Sequence, residues 1–200
     1  MKKLLAVGLG LLWVVAGIGS VGAQVLNVGE TLGAGKKAVF AAGNRLFIDG
    51  DELNITYVQF IYGANKRLDL YATLGGTRIF RQDQAWVGVG ANLHLFRLEK
   101  FDVSTYNVVS FPLHRRREAS TLLLNTMLVV SRSVSKNLTL YSGVNALVPV
   151  GALDRGLFTP TEKKINVPIG AAIARGPWTL FLEADIGHLK AIGAGLVRTF

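Results

Sequence analysis

The chain has no cysteine, which excludes any disulfide framework and any lipid attachment through a lipobox thiol. Histidine is scarce: His94, His114 and His188 lie far apart, and no histidines or carboxylates share a ligand spacing, so no metal or cofactor is expected. After the first 23 residues no apolar run is long enough to cross a bilayer as a helix, which takes about 17–25 residues. Yet the mean hydropathy is +0.36, high for a soluble protein. An apolar chain without membrane helices points to strands, and in lipid strands satisfy every backbone group only as a closed barrel. Acidic residues are the minority, 13 against 22 basic ones. A high pI can signal nucleic-acid binding, but the signs of export below argue against a nucleic-acid partner.

The N-terminus is basic at Lys2 and Lys3, apolar from Leu4 to Ile18, and small at Gly19 to Ala23. These are the three parts of a secretory signal, with the cut predicted after Val21-Gly22-Ala23. Residues 1–23 are therefore expected to be a signal peptide and 24–200 a single domain. The alternative, a helical anchor, has an apolar run at the lower length limit and no basic flank after it.

The clearest strand signal runs from Ala85 to Arg97, where Ala85, Val87, Val89, Ala91, Leu93 and Leu95 alternate with Trp86, Gly88, Gly90, Asn92, His94 and Phe96. Successive side chains on a strand point to opposite faces, so this segment has one aliphatic face and one small or polar face. Three related segments begin at Leu68, Leu138 and Trp178, each after a turn-like cluster: Ala64–Arg67, Val134–Asn137 and Ala174–Pro177. Leu98–Phe101 makes a fourth turn. Counting outward from these turns predicts strands over 35–46, 53–64, 67–79, 84–97, 102–114, 120–132, 137–148, 164–174, 177–187 and 190–200. The fold expected is all-β, an up-and-down antiparallel transmembrane barrel of about ten strands, eight being the other even count open. The four short turns are expected in the periplasm. The connections 43–52, 80–83, 114–119, 149–163 and 187–189 are expected outside.

The alternating last strand ends at Phe200, and counting back by twos gives Arg198, Leu196, Ala194 and Ile192. With the export signal at the other end, the chain resembles the small bacterial outer-membrane β-barrel proteins. Their final strand typically ends in an aromatic residue that the barrel-assembly machinery reads; Phe200 and Leu196 fit that signal and Arg198 departs from it. The resemblance implies an outer-membrane location, with membrane lipid, lipopolysaccharide and the assembly machinery as partners. It also implies aromatic girdles at the two interfaces, for which Trp86, Trp178, Tyr57, Tyr62 and Phe181 are available. Some outer-membrane barrels are enzymes using histidine with serine or carboxylates at the rim, which singles out Ser110, Ser120 and Asp185. Their local motifs are missing here, and no enzyme is expected.

The predicted lumen-facing set is rich in small residues and contains Asp69, Asn92, Asn145, Glu183 and Asp185. Barrels of about eight strands are just filled by side chains, so ten strands lined with glycine leave room for a narrow wet passage. The function expected is a small passive channel for ions or small solutes, with Asp69, Glu183 and Asp185 favouring cations. The alternative is a closed structural barrel whose outer connections bind lipopolysaccharide or a partner. For that role Arg115, Arg116 and Arg117 suit phosphate groups.

Overall fold

Period-two alternation commits each apolar segment to an extended strand with one face for each of two environments, and closure of the sheet decides which face lies inside. The computed structural model describes residues 30–48, 51–79, 82–113, 122–150, 164–187 and 190–200. It contains β1 (Lys37–Ile48), β2 (Asp51–Gly63), β3 (Leu68–Ile79), β4 (Gln82–Leu98), β5 (Phe101–Pro112), β6 (Leu122–Ser135), β7 (Leu138–Val150), β8 (Lys164–Arg175), β9 (Trp178–Gly187) and β10 (Lys190–Thr199). Each strand pairs antiparallel with the next, and β1 pairs with β10 from Ala38↔Thr199 to Phe47↔Lys190. The fold is a closed ten-stranded up-and-down barrel. The expected signal peptide lies outside the described residues.

The four short turns all fall at one end of the barrel, as expected; we call it the short-turn end and the other the loop end. One expected connection, 43–52, is corrected. β1 continues through Gly43, Asn44 and Arg45 to Ile48, because Asn44 points into the barrel and Arg45 pairs with Glu52 across the hairpin at 3.3 Å. These two polar residues, which fall in both the expected strand 35–46 and the expected connection 43–52, serve the two faces of β1.

The ladders are regular except at three places. Register shifts occur between His94 and Phe96 and between Ser133 and Ser135, each beside a short turn. In the β7–β8 ladder pairing stops at Ser142↔Ile169 and resumes at Asn145↔Asn166. Pro168 sits in that gap, where its missing N–H removes a ladder donor, and Ser142 Oγ donates instead to the Pro168 carbonyl at 2.8 Å.

Outward positions carry exposed large apolar side chains: Val58 and Phe60 on β2, Leu70 and Leu74 on β3, Val89 and Leu93 on β4, Leu128 and Val130 on β6, Leu140 and Val144 on β7, Leu182 and Ile186 on β9. A continuous exposed belt of this kind is far more apolar than a water-facing surface. Below it, near the short turns, Tyr62, Phe96, Phe101, Trp178 and Phe200 are exposed. They form the aromatic girdle at this end. Of the residues expected to build girdles, Tyr57, Trp86 and Phe181 instead point inward and are buried, because they share the strand face of small and polar residues. Arg198, the departure in the last strand, lies 5.4 Å from the Trp178 ring centroid and 4.8 Å from that of Phe200. It covers aromatic surface as a cation over π faces.

The inward faces of all ten strands contribute to one buried cluster. Two glycines admit its largest rings. A Cβ at Gly75 would collide with the Trp86 indole, and one at Gly170 with the Tyr141 phenol. Gly170→Ala should therefore destabilise the barrel by about 1–3 kcal/mol, the usual range for overpacking. In a Tyr141→Ala background the same change should cost little. Urea unfolding midpoints of the four proteins of this cycle check it; an equal cost in both backgrounds would rule out the ring contact as the cause.

Candidate functional site

The lumen is stratified, and its lowest level, at the short-turn end, is made by residues that precede β1. The Leu32 N–H donates to both carboxylate oxygens of Asp69, at 3.2 and 3.0 Å. Thr31 Oγ1 donates to the Lys66 carbonyl at 2.9 Å. Glu30 Oε1 accepts from Arg97 Nη2 at 2.7 Å. Residues 30–36 thus form a strap across the mouth. The same Arg97 grips Asp102 with Nε and Nη2 at 2.8 and 2.9 Å, and His94 Nε2 is 3.1 Å from Asp102 Oδ1. Such a two-pronged arginine–carboxylate contact fixes direction as well as charge.

Ser104 faces His94 across the β4–β5 ladder, so serine, histidine and aspartate meet here. The Ser104 hydroxyl is fully buried and makes no hydrogen bond. Without a serine–histidine bond and a route for substrate, the trio has no activated nucleophile.

Above the strap lies a cavity of about 160 Å³ lined by Leu32, Gln59, Asp69 and Thr179, among others, with Phe40, Tyr71 and Phe181 on its far side. Next comes a layer of rings. Trp86, Tyr57, Phe40, Phe181 and Tyr141 make a connected run with centroid separations of 6.2, 5.6, 5.7 and 6.4 Å. Tyr71 and Tyr106 pair at 5.2 Å, and Gln59 Nε2 ties Tyr106 Oη at 2.9 Å to Thr73 Oγ1 at 3.0 Å.

On the loop-end side of this layer stand Glu183 and Asp185, two apart on β9 and both inward. Register places Asn44 and Glu183 on either side of Gly193, so no side chain separates them along the wall. Tyr57, Tyr106, Tyr141 and Asp185 are within electrostatic reach of Glu183. The Tyr141 hydroxyl is directed at the Glu183 carboxylate and the Asn44 amide at the Tyr57 hydroxyl, but neither contact reaches good hydrogen-bond geometry, and the Asn145 Oδ1 has no hydrogen-bond partner in the protein. Glu183, Asn44 and Asn145 are each at most 6 % exposed. Buried polar groups without protein partners are met by water or ions. Among the residues whose side chains are described, every lysine and arginine is exposed or half-buried.

No family model and no curated protein matches the chain. Among solved structures, an outer-membrane channel from Pseudomonas putida F1 superposes with a TM-score of 0.52 at 12% identity, covering 86% of this chain and 97% of that one. The chain has the fold of the outer-membrane β-barrels. Two further structures of this outer-membrane class align more loosely. The translocator domain of autotransporter NalP from Neisseria meningitidis has a TM-score of 0.47 at 11% identity, covering 84% of this chain and 89% of that one. The KdgM porin has 0.43 at 10% identity, covering 80% and 99%.

Within this barrel the structure unites some expected residues and separates others. Glu183 and Asp185 are neighbours, and Asn145 lies on β7, on the same lumen face. Asp69 stands apart, at the short-turn end beside Asn92, with its carboxylate engaged by the strap. Leu196 faces outward and half-buried, while Phe200 is exposed at the foot of the barrel with its N–H donating to the Lys37 carbonyl at 2.8 Å. Arg115, Arg116, Arg117, His114, Ser120 and His188 lie outside the described residues. Ser110 lies toward the loop end and His94 at the short-turn end, so the two do not meet. Reasoning from sequence missed the strap, the Arg97–Asp102 pair and the place of Phe40 in the ring layer. Phe40 alternates with Ala38 and Ala42, a signal that was present; the strap's contacts span 35 to 67 residues and leave no local signature.

The two kinds of buried carboxylate should respond oppositely to neutralisation. Asp102→Asn removes the acceptor of a half-exposed arginine and should lower stability by about 1–2 kcal/mol. Glu183→Gln removes a charge with no cationic partner among the described residues and should leave the urea midpoint unchanged or raise it. A fall on Glu183→Gln as large as that on Asp102→Asn would show that Glu183 is paired.

Proposed function

We propose that the protein lies in the outer membrane of a two-membrane bacterium, with its short turns in the periplasm, and forms a small passive channel for ions or small solutes that favours cations. The observation that carries this reading is Glu183: a buried carboxylate on the inner wall beyond the ring layer, with no cationic side chain acting on it among the described residues. An ionised carboxylate in a dry interior costs far more than a fold can absorb. Water or a cation at that level meets this demand, and a wet level inside a barrel is the beginning of a passage. Asp185 beside it adds charge of the same sign, which raises cation concentration locally. The apolar belt and the lower aromatic girdle support the membrane location, and the final strand through Leu196 and Phe200 supports handling by the barrel-assembly machinery. No catalytic activity is assigned.

The ring layer favours a second reading. A run of five aromatic side chains and a separate pair occupy one level of the lumen, as in a barrel closed for structural reasons. Its function would then lie in the outer connections, where Arg115, Arg116 and Arg117 have the chemistry for lipopolysaccharide phosphate.

Planar-bilayer recording of the refolded protein separates the two. A channel predicts steady current with a cation-selective reversal potential in a salt gradient, and Glu183→Gln with Asp185→Asn should move that potential toward zero. Protein that inserts but stays silent, with parent and variants alike, would favour the closed barrel.

A further inference from the structure

The strap is built unlike the rest of the barrel. Its residues 30–34 join no ladder; they hang from the point where Gly35 N–H donates to the Gly63 carbonyl at 2.7 Å and Gly63 N–H to the Lys36 carbonyl at 2.9 Å. Gly33 and Gly35 have φ of +90° and +77°, values that favour glycine and give a bend on either side of Ala34. Gly63 is also required, because a Cβ there would collide with the Gly33 carbonyl. Beyond this bend the strap is held by the three contacts to Asp69, Lys66 and Arg97. Two of these are at the surface: the Thr31 contact is exposed, and the Glu30 and Arg97 side chains are 52% and 57% exposed. Only Leu32 reaches inward to the buried cluster. Behind it lies the 160 Å³ cavity rather than packed side chains.

Segments with few buried apolar contacts and exposed polar ties open at low free energy. We propose that residues 30–36 are a latched gate at the short-turn mouth, closed by Glu30 on Arg97 and by the Leu32 amide on Asp69, and swinging on the Gly33–Gly35 bend to uncover the cavity beneath the ring layer. Arg97 stays in place when the latch releases, because Asp102 holds it independently from the wall of the barrel. The Glu30 tie, being exposed, weakens with salt, whereas the Asp69 tie is part-buried and is screened less. That the gate moves is independent of the channel reading; that its movement admits ions rests on that reading.

The absence of cysteine makes the test direct, since Val197→Cys, at a buried position in the wall of the cavity, introduces the single thiol of the chain. The rate at which a small water-soluble thiol reagent labels it reports opening of the strap. Asp69→Asn should raise that rate about tenfold, the effect of losing one charge-assisted hydrogen bond. Glu30→Gln, at an exposed site that folding does not depend on, should raise it severalfold. Raising salt should speed labelling of the parent and not of Glu30→Gln. Equal labelling rates in parent and both folded variants would overturn the gate. Faster labelling together with larger bilayer current supports both the gate and the channel; faster labelling with no current supports the gate and removes the channel.

Discussion

Everything in this barrel depends on the pairing of β1 with β10. Ten strands left open would expose two rows of backbone donors and acceptors, which neither lipid nor an apolar neighbour can satisfy. Joining Ala38–Phe47 to Lys190–Thr199 removes both edges at once. It also forces each alternating strand to place one face in a lumen of set width. From that width follow the glycines beside Trp86 and Tyr141, since the largest rings lie over the wall only where the cross-strand neighbour has no side chain.

The lumen divides its chemistry by level and by sign. Rings fill the middle, where they gain buried area and edge-to-face contacts. Carboxylates and amides occupy the level beyond, and a further carboxylate, Asp69, the level below. Among the residues whose side chains are described, no lysine or arginine is fully buried; Arg132 lies 5.5 Å from the Phe101 ring centroid and Arg198 covers Trp178. A field of one sign inside low-dielectric walls is stronger than the same charges would make in water, so two acidic residues on one strand are enough to give the interior its character.

Most of the architecture was legible in the sequence because the barrel is made of local hairpins. The alternation from Ala85 to Arg97 and the four turn clusters each specify a neighbour only a few residues away, and register then follows from the period of two. The lumen-facing set, with Asn92, Asn145, Glu183 and Asp185, follows from the same counting. Errors arose where a residue type suggested one environment and its place in the alternation dictated another: Asn44 and Arg45 fell in an expected connection as well as in an expected strand, and Tyr57, Trp86 and Phe181 looked like a girdle. The separation of Asp69 from Glu183 follows from the same counting, because Asp69 stands next to its turn and Glu183 well up its strand, a difference that grouping the two by charge overlooks. The strap was not legible, because its partners lie on β3, β4 and the β2–β3 turn.

Nine of the ten strand pairs join consecutive strands and one joins the first to the last. Hairpins form within microseconds, since little chain entropy is lost in closing a short turn, whereas bringing together the two ends of the sheet requires ordering nearly the whole domain. The β1–β10 seam is therefore the late event in the history of each molecule, and any half-made barrel presents the edge of β1 and the edge of β10 to its surroundings. The two strands that complete the cylinder are, until that moment, the places where another sheet could join it.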